Sequence, residues 1–256
     1  REVFSGGWNP DIDPVVRTGE RTSRLTEFLK KFDFAVLRSL LEQYAQRSQQ
    51  QGDRNFLDAE SVFDSYSGDA VFSSAENIIG LNAYVDEDPD ANYCKVAESL
   101  VHEELHAITD RSHHYDYITG YHRKQAFRLF NEGLTEKLAQ EVTAAYLSAT
   151  AAVSKEKWPE FDKYPVARKF VDNILDRLAD ALSISRETLW QALIRGMFQN
   201  ESLHDKELQD LFEETFSPAF FRVLEKAESE EELEKAMQQS GGIQAFAGRI
   251  RKWLRL

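Results

Sequence analysis

Apolar positions recur at helical spacing between residues 21 and 50. Leu25, Phe28, Leu29, Phe32, Val36, Leu37, Leu40, Leu41 and Tyr44 share one stripe, predicting a single amphipathic helix that ends in the polar run Gln49-Gln50-Gln51-Gly52. Such a stripe fits a backing helix of the core. Residues 1–19, with Gly6, Gly7, Pro10 and Pro14, read as irregular. Between 62 and 85 the pattern changes. Short apolar runs, Val62-Phe63, Ala70-Val71-Phe72 and Ile78 to Val85, are separated by Ser, Gly, Asp and Asn, and they predict a small sheet. An acidic turn, Asp86 to Asp90, then feeds a helix over 91–109 that packs Val96, Leu100, Val101, Leu105 and Ile108. The turn's carboxylates suit a helix N-terminus and lack the ligand spacing of an EF-hand calcium loop. A loop rich in His and Tyr follows near 111–121, and a helix from Glu132 to about 150 packs Leu134, Leu138, Val142, Tyr146 and Leu147. From Trp158 onward the pattern is almost entirely helical, over 166–182, 186–197, 205–212, 218–226 and from 231 to the end. Ser185 reads as a cap and Gly241-Gly242 as a break in the last helix.

The expected fold class is therefore α+β and predominantly α-helical, with a lobe over 1–150 that holds the sheet and a helical lobe over 151–256. A chain of 256 residues, 42% hydrophobic, is long enough for a sizeable core. Its net charge of −13 would repel phosphate backbones, so nucleic acid is not an expected partner. No stretch approaches the roughly 18 apolar residues of a membrane span, and no signal peptide is visible. Cys94 is the one cysteine, which excludes an internal disulfide. These features fit the cytoplasm, without a membrane partner, and a single cysteine fits a secreted protein stabilised by other means equally well. Cys94 itself reads as a small buried residue rather than a nucleophile.

The stretch richest in chemistry is His102-Glu103-Glu104-Leu105-His106. On a helix, side chains four positions apart project from one face, so His102 and His106 can bind one ion together. Glu103, turned about 100° around the axis, suits a carboxylate that holds an ion-bound water without ligating the ion. Catalytic zinc keeps three protein ligands and an open position for water. Glu132 is the best third ligand: it follows His106 by 132 − 106 = 26 positions, enough to leave one helix and return on another. Glu136 lies one turn further along the same face and could accept a hydrogen bond from the outer nitrogen of a zinc-bound histidine. Asp116, His114 and His122 are alternative third ligands. A metzincin would place glycine at 109 and histidine at 112, where this chain has Thr109 and Ser112, and His113 misses by one position.

His102-Glu103-x-x-His106 followed by Asn131-Glu132-Gly133-x-x-Glu136 resembles the gluzincin group of zinc peptidases, which includes the thermolysin-like enzymes. The likeness covers roughly residues 78 to 150. It implies a zincin-like fold and a zinc ion held by His102, His106 and Glu132, with Glu103 as general base and Glu136 supporting a histidine. It also implies an edge strand that binds a polypeptide substrate, and a tyrosine or histidine that stabilises the oxyanion. Tyr164 is the first candidate for that last role, with Tyr121 and Tyr117 as alternatives. The expected function is zinc-dependent peptide hydrolysis, endopeptidase rather than aminopeptidase. A related reading keeps the metal site but cleaves a non-peptide bond. The contrasting one is a non-catalytic helical interaction protein whose zinc is structural or vestigial.

Overall fold

The structure is a computed structural model, and it describes residues 14–47, 54–65, 70–83, 87–112, 117–124, 126–161 and 164–239, with side chains described between residues 23 and 238. The fold is α+β and mainly helical, and the chain divides into two compact units. The first comprises residues 1–42, 55–108 and 138–161, and the second residues 43–54, 109–137 and 162–256. No helix among the described residues is long and apolar enough to cross a membrane.

Helix α1, Pro14–Lys31, begins inside the segment expected to be irregular, and α2, Phe34–Arg47, follows it after a break. The single helix expected over 21–50 is therefore two. Asp33 makes the break. Its Oδ1 accepts the amides of Ala35 and Val36, which caps α2, and its own N–H donates to the Tyr146 hydroxyl at 2.8 Å. The apolar stripe carries on through the break, since Phe28, Phe32, Leu37 and Leu41 are all buried. Phe32 stacks on Tyr146 with ring centroids 4.5 Å apart, and Phe28 packs against Tyr93. The polar run at 49–52 and the glycines at 241–242 lie outside the described residues.

The expected small sheet is present in the first unit, as β1 (Val62–Asp64), β2 (Ala70–Ser73) and β3 (Ile78–Leu81) in the order β1-β3-β2. β3 runs parallel to β1 and antiparallel to β2, with Val71 opposite Gly80 and Phe72 opposite Ile79. Helix α3, Pro89–Thr109, starts at the acidic turn, where Asp88 Oδ1 accepts the amides of Asp90 and Ala91. The turn's carboxylate is thus a helix cap. Helix α4, Arg128–Thr150, begins four residues before the expected start.

In the second unit the His- and Tyr-rich loop contains a short hairpin, β4 (Ile118–Thr119) with β5 (His122–Arg123), that the sequence pattern did not reveal. Helices α5 (Pro165–Leu182), α6 (Arg186–Gln199), α7 (Lys206–Thr215), α8 (Pro218–Lys226) and α9 (Glu230–Gln239) follow the predicted spans closely. Ser185 caps α6, its hydroxyl accepting the Thr188 amide at 3.0 Å. The start of α5 has no cap from its own N-terminal side chain. Glu230 of α9 supplies one instead, accepting the Ala167 amide.

Tyr146 is the side chain on which the α1–α2 break depends, because it accepts the Asp33 amide and shares a hydrogen bond of 3.1 Å with the Tyr93 hydroxyl. Tyr146→Phe keeps the packing and strands both partners. It should destabilise the protein by about 1–3 kcal/mol, read as a lower urea midpoint with unchanged slope. A shift within error would remove this bond from the account of the break.

Candidate metal centre

Every residue of α3 from Val96 to Thr109 is buried, including Glu98, His102, Glu103, Glu104 and His106. A helix enclosed on all sides is ordinarily apolar all round, so the polar residues on this one call for partners. His102 and His106, one turn apart, bring their Nε2 atoms to 3.1 Å, with the rings at 67°. Two imidazole nitrogens each about 2.0–2.1 Å from one tetrahedral ion stand about 3.3 Å apart. The pair therefore has the separation that a shared ion requires. Glu132, half-buried on α4, completes a group whose ligand atoms all lie within 4.8 Å of one another. Two imidazoles and one carboxylate form a donor set that could hold a metal ion.

The other expected site residues lie as follows. Glu103 is 7% exposed and is not one of the clustered ligands. Its Oε2 accepts the backbone N–H of Phe72, on strand β2, at 2.8 Å. Glu136 is fully buried on α4, one turn beyond Glu132. Tyr164 stands at the head of α5 in the left-handed region, φ 45°, and is 40% exposed. Tyr121, weighed as its alternative, is wholly buried and donates its hydroxyl to the Leu193 carbonyl at 3.0 Å. Tyr117 lies edge-on to His122, whose Nε2–H donates to the Lys124 carbonyl. His122 does not join the ligand cluster. His113, His114 and Asp116 lie outside the described residues.

The residues that flank Glu132 have roles that the spacing alone did not disclose. Asn131 Oδ1 accepts the Tyr121 amide at 2.9 Å, which ties the β4–β5 hairpin to α4. Gly133 lets α5 approach, since a methyl group there would meet the Ala167 carbonyl oxygen at 2.7 Å. Asn131 and Gly133 thus fix the surroundings of Glu132 within the second unit. Cys94, on α3, is fully buried, and burial followed by the charges of Asp90 and Asp88 pushes its thiol up to about 11. That suits an inert packing residue, as expected.

Compared with known proteins, the chain matches no family model, no curated protein and no solved structure.

Glu104 is a carboxyl that sequence reasoning passed over. It is 1% exposed; its Oε2 accepts the Leu57 amide at 3.4 Å, and its Oε1 has no hydrogen-bond partner among the described residues. Burial pushes the carboxyl up to about 8; the Leu57 amide opposes this and the charge of Asp58 adds to it. A folded-state value above the ordinary 4.5 means that the unfolded chain releases its proton first as pH rises. Stability from this group is thus full below about 4.5 and is lost progressively as pH climbs toward and through about 8. Glu104→Gln removes the titration. The metal-free variant should lose less thermal stability than wild type between about pH 5 and about pH 8, and parallel curves would refute the assignment.

Proposed function

We propose that this chain is a zinc-dependent peptidase with a zincin-like fold, of the gluzincin type, and that it cuts within polypeptides. The observation that carries the reading is the meeting of His102, His106 and Glu132 beside a carboxylate, Glu103, that stays outside the ligand set. Zinc, when bound by those three residues, supplies a Lewis acid and an acidified water. The remaining chemistry belongs to the protein. Glu103 takes a proton from the attacking water on its carboxylate and delivers it to the leaving amine nitrogen. Glu136, buried one turn past Glu132, steadies a histidine ring and raises its basicity. Tyr164, whose partly exposed ring is not enclosed in a core, is the candidate to hydrogen-bond the oxyanion.

The sheet supports a polypeptide substrate. Among the described residues β2 is an edge strand, and its outward Phe72 amide is taken by Glu103, so a peptide added along the rest of that edge would lie beside the proposed base. Backbone pairing of this kind accepts an extended chain and leaves side-chain preference to pockets. The strongly acidic composition argues for action without nucleic acid, and a single cysteine fits the cytoplasmic setting we propose.

Purified protein reconstituted with zinc should hold about one ion per chain, measured by elemental analysis and placed by anomalous scattering. Glu103→Gln should keep the ion and lose about 100-fold or more in kcat, whereas His106→Ala should lose ion and activity together. Glu136→Ala should bind zinc about 10–100-fold more weakly. Cleavage of an unstructured protein, single amino-acid arylamides and a peptide library, each with and without DNA, reads the substrate. Internal cuts that ignore DNA are the expected result. Zinc-loaded protein that cuts none of these with Glu103 intact would end the peptidase reading.

A further inference from the structure

Among the described residues strand β2 pairs with β3 on one side only, so alternate residues of β2 turn their amides off the sheet. Phe72 is such a residue. Its N–H donates to Glu103 Oε2 at 2.8 Å, in a contact whose carboxylate is 7% exposed. The two groups are 31 positions apart in the chain but lie within the same compact unit. A backbone amide is a fixed donor. It cannot rotate away as a hydroxyl can, and here the β2–β3 ladder, from Ala70 opposite Leu81 to Ser73 opposite Ile78, sets its position.

The geometry points to the Phe72 backbone amide as a positioning group for Glu103. By holding Oε2 it fixes the carboxylate plane and leaves Oε1 as the oxygen for proton transfer, so that edge strand and carboxylate keep one geometry. A carboxylate with both oxygens unrestrained would sample other rotamers, and each departure from a productive geometry is lost rate. The consequence for catalysis rests on the peptidase reading. The contact itself does not.

The contact is tested first by amide hydrogen exchange on the full chain. An outward amide on an exposed edge exchanges quickly unless something accepts its hydrogen bond. Phe72 should be protected in wild type and lose at least about 10-fold of that protection in Glu103→Ala, while Val71 and Ser73, whose amides face β3, change by less than about 3-fold. Kinetics test the role. Proline is tolerated on an edge strand where its missing N–H faced outward, so Phe72→Pro removes the donor without breaking the ladder. Phe72→Ala keeps the donor and sets the baseline for loss of the ring. Relative to that baseline, Phe72→Pro should lose about 10–100-fold in kcat with KM within about 2-fold and zinc content unchanged, because Glu103 is not a ligand. Equal kcat in the two variants, or a Phe72 amide that exchanges as fast as an unbonded one in wild type, would overturn the proposal. A wild-type protein with a protected Phe72 amide and no peptide cleavage would overturn the peptidase reading and leave the contact standing.

Discussion

Burying a polar group costs roughly 1–3 kcal/mol unless it finds a partner, and a buried charge costs more. Helix α3 carries that cost over its whole C-terminal half, from Val96 to Thr109, with three glutamates and two histidines enclosed there. The surroundings answer it at two of the glutamates and at the histidines. Strand β2 gives Glu103 an amide, and the segment at Leu57 gives one to Glu104. The two imidazoles face each other at a separation that an ion would satisfy. At Glu104 burial itself favours the protonated, neutral carboxyl. The sheet and its approaches are therefore more than a cover for the helix: they supply donors to Glu103 and Glu104.

The second unit solves a different problem, how to present one carboxylate at the start of a long helix. Asn131 and Gly133 sit on either side of Glu132 and do unlike things, one binding a backbone amide of the hairpin and the other admitting the Ala167 carbonyl at close range. Asn200 ties the hairpin turn to the end of α3, its side-chain amide donating to the Gly120 carbonyl at 3.5 Å and to the Thr109 carbonyl at 2.7 Å. Gly196 leaves room for the Tyr121 ring, whose hydroxyl would collide with any side chain there. A short polar motif thus reads as a packing device as much as a chemical one.

How much of this was legible depended on the range of the deciding interaction. Helices α5 to α8 were readable because their evidence is local: apolar residues at helical period, Ser185 as a cap, and prolines at 165 and 218 in the first turn. The meeting of Glu132 with the two histidines was readable too, because residue type and spacing both constrained it. The division between α1 and α2 was not. Phe32 and Leu37 keep the helical phase across the break, and the bond that settles it joins Asp33 to a tyrosine 113 positions away. The β4–β5 hairpin has strands of two residues, too short for any alternation to register. The contact between Phe72 and Glu103 was invisible for a related reason, since it requires knowing which strand lies at the edge and which way its amides turn.

The single thiol has a further use. Cys94 is enclosed on the helix that carries both histidines, and burial keeps it in its unreactive protonated form. An alkylating reagent can reach it only when that part of α3 opens, so the labelling rate in mild denaturant measures how often the donor helix leaves its enclosure. The chain thereby contains its own clock for opening of this helix, with no probe to be engineered and no second thiol to confuse the signal.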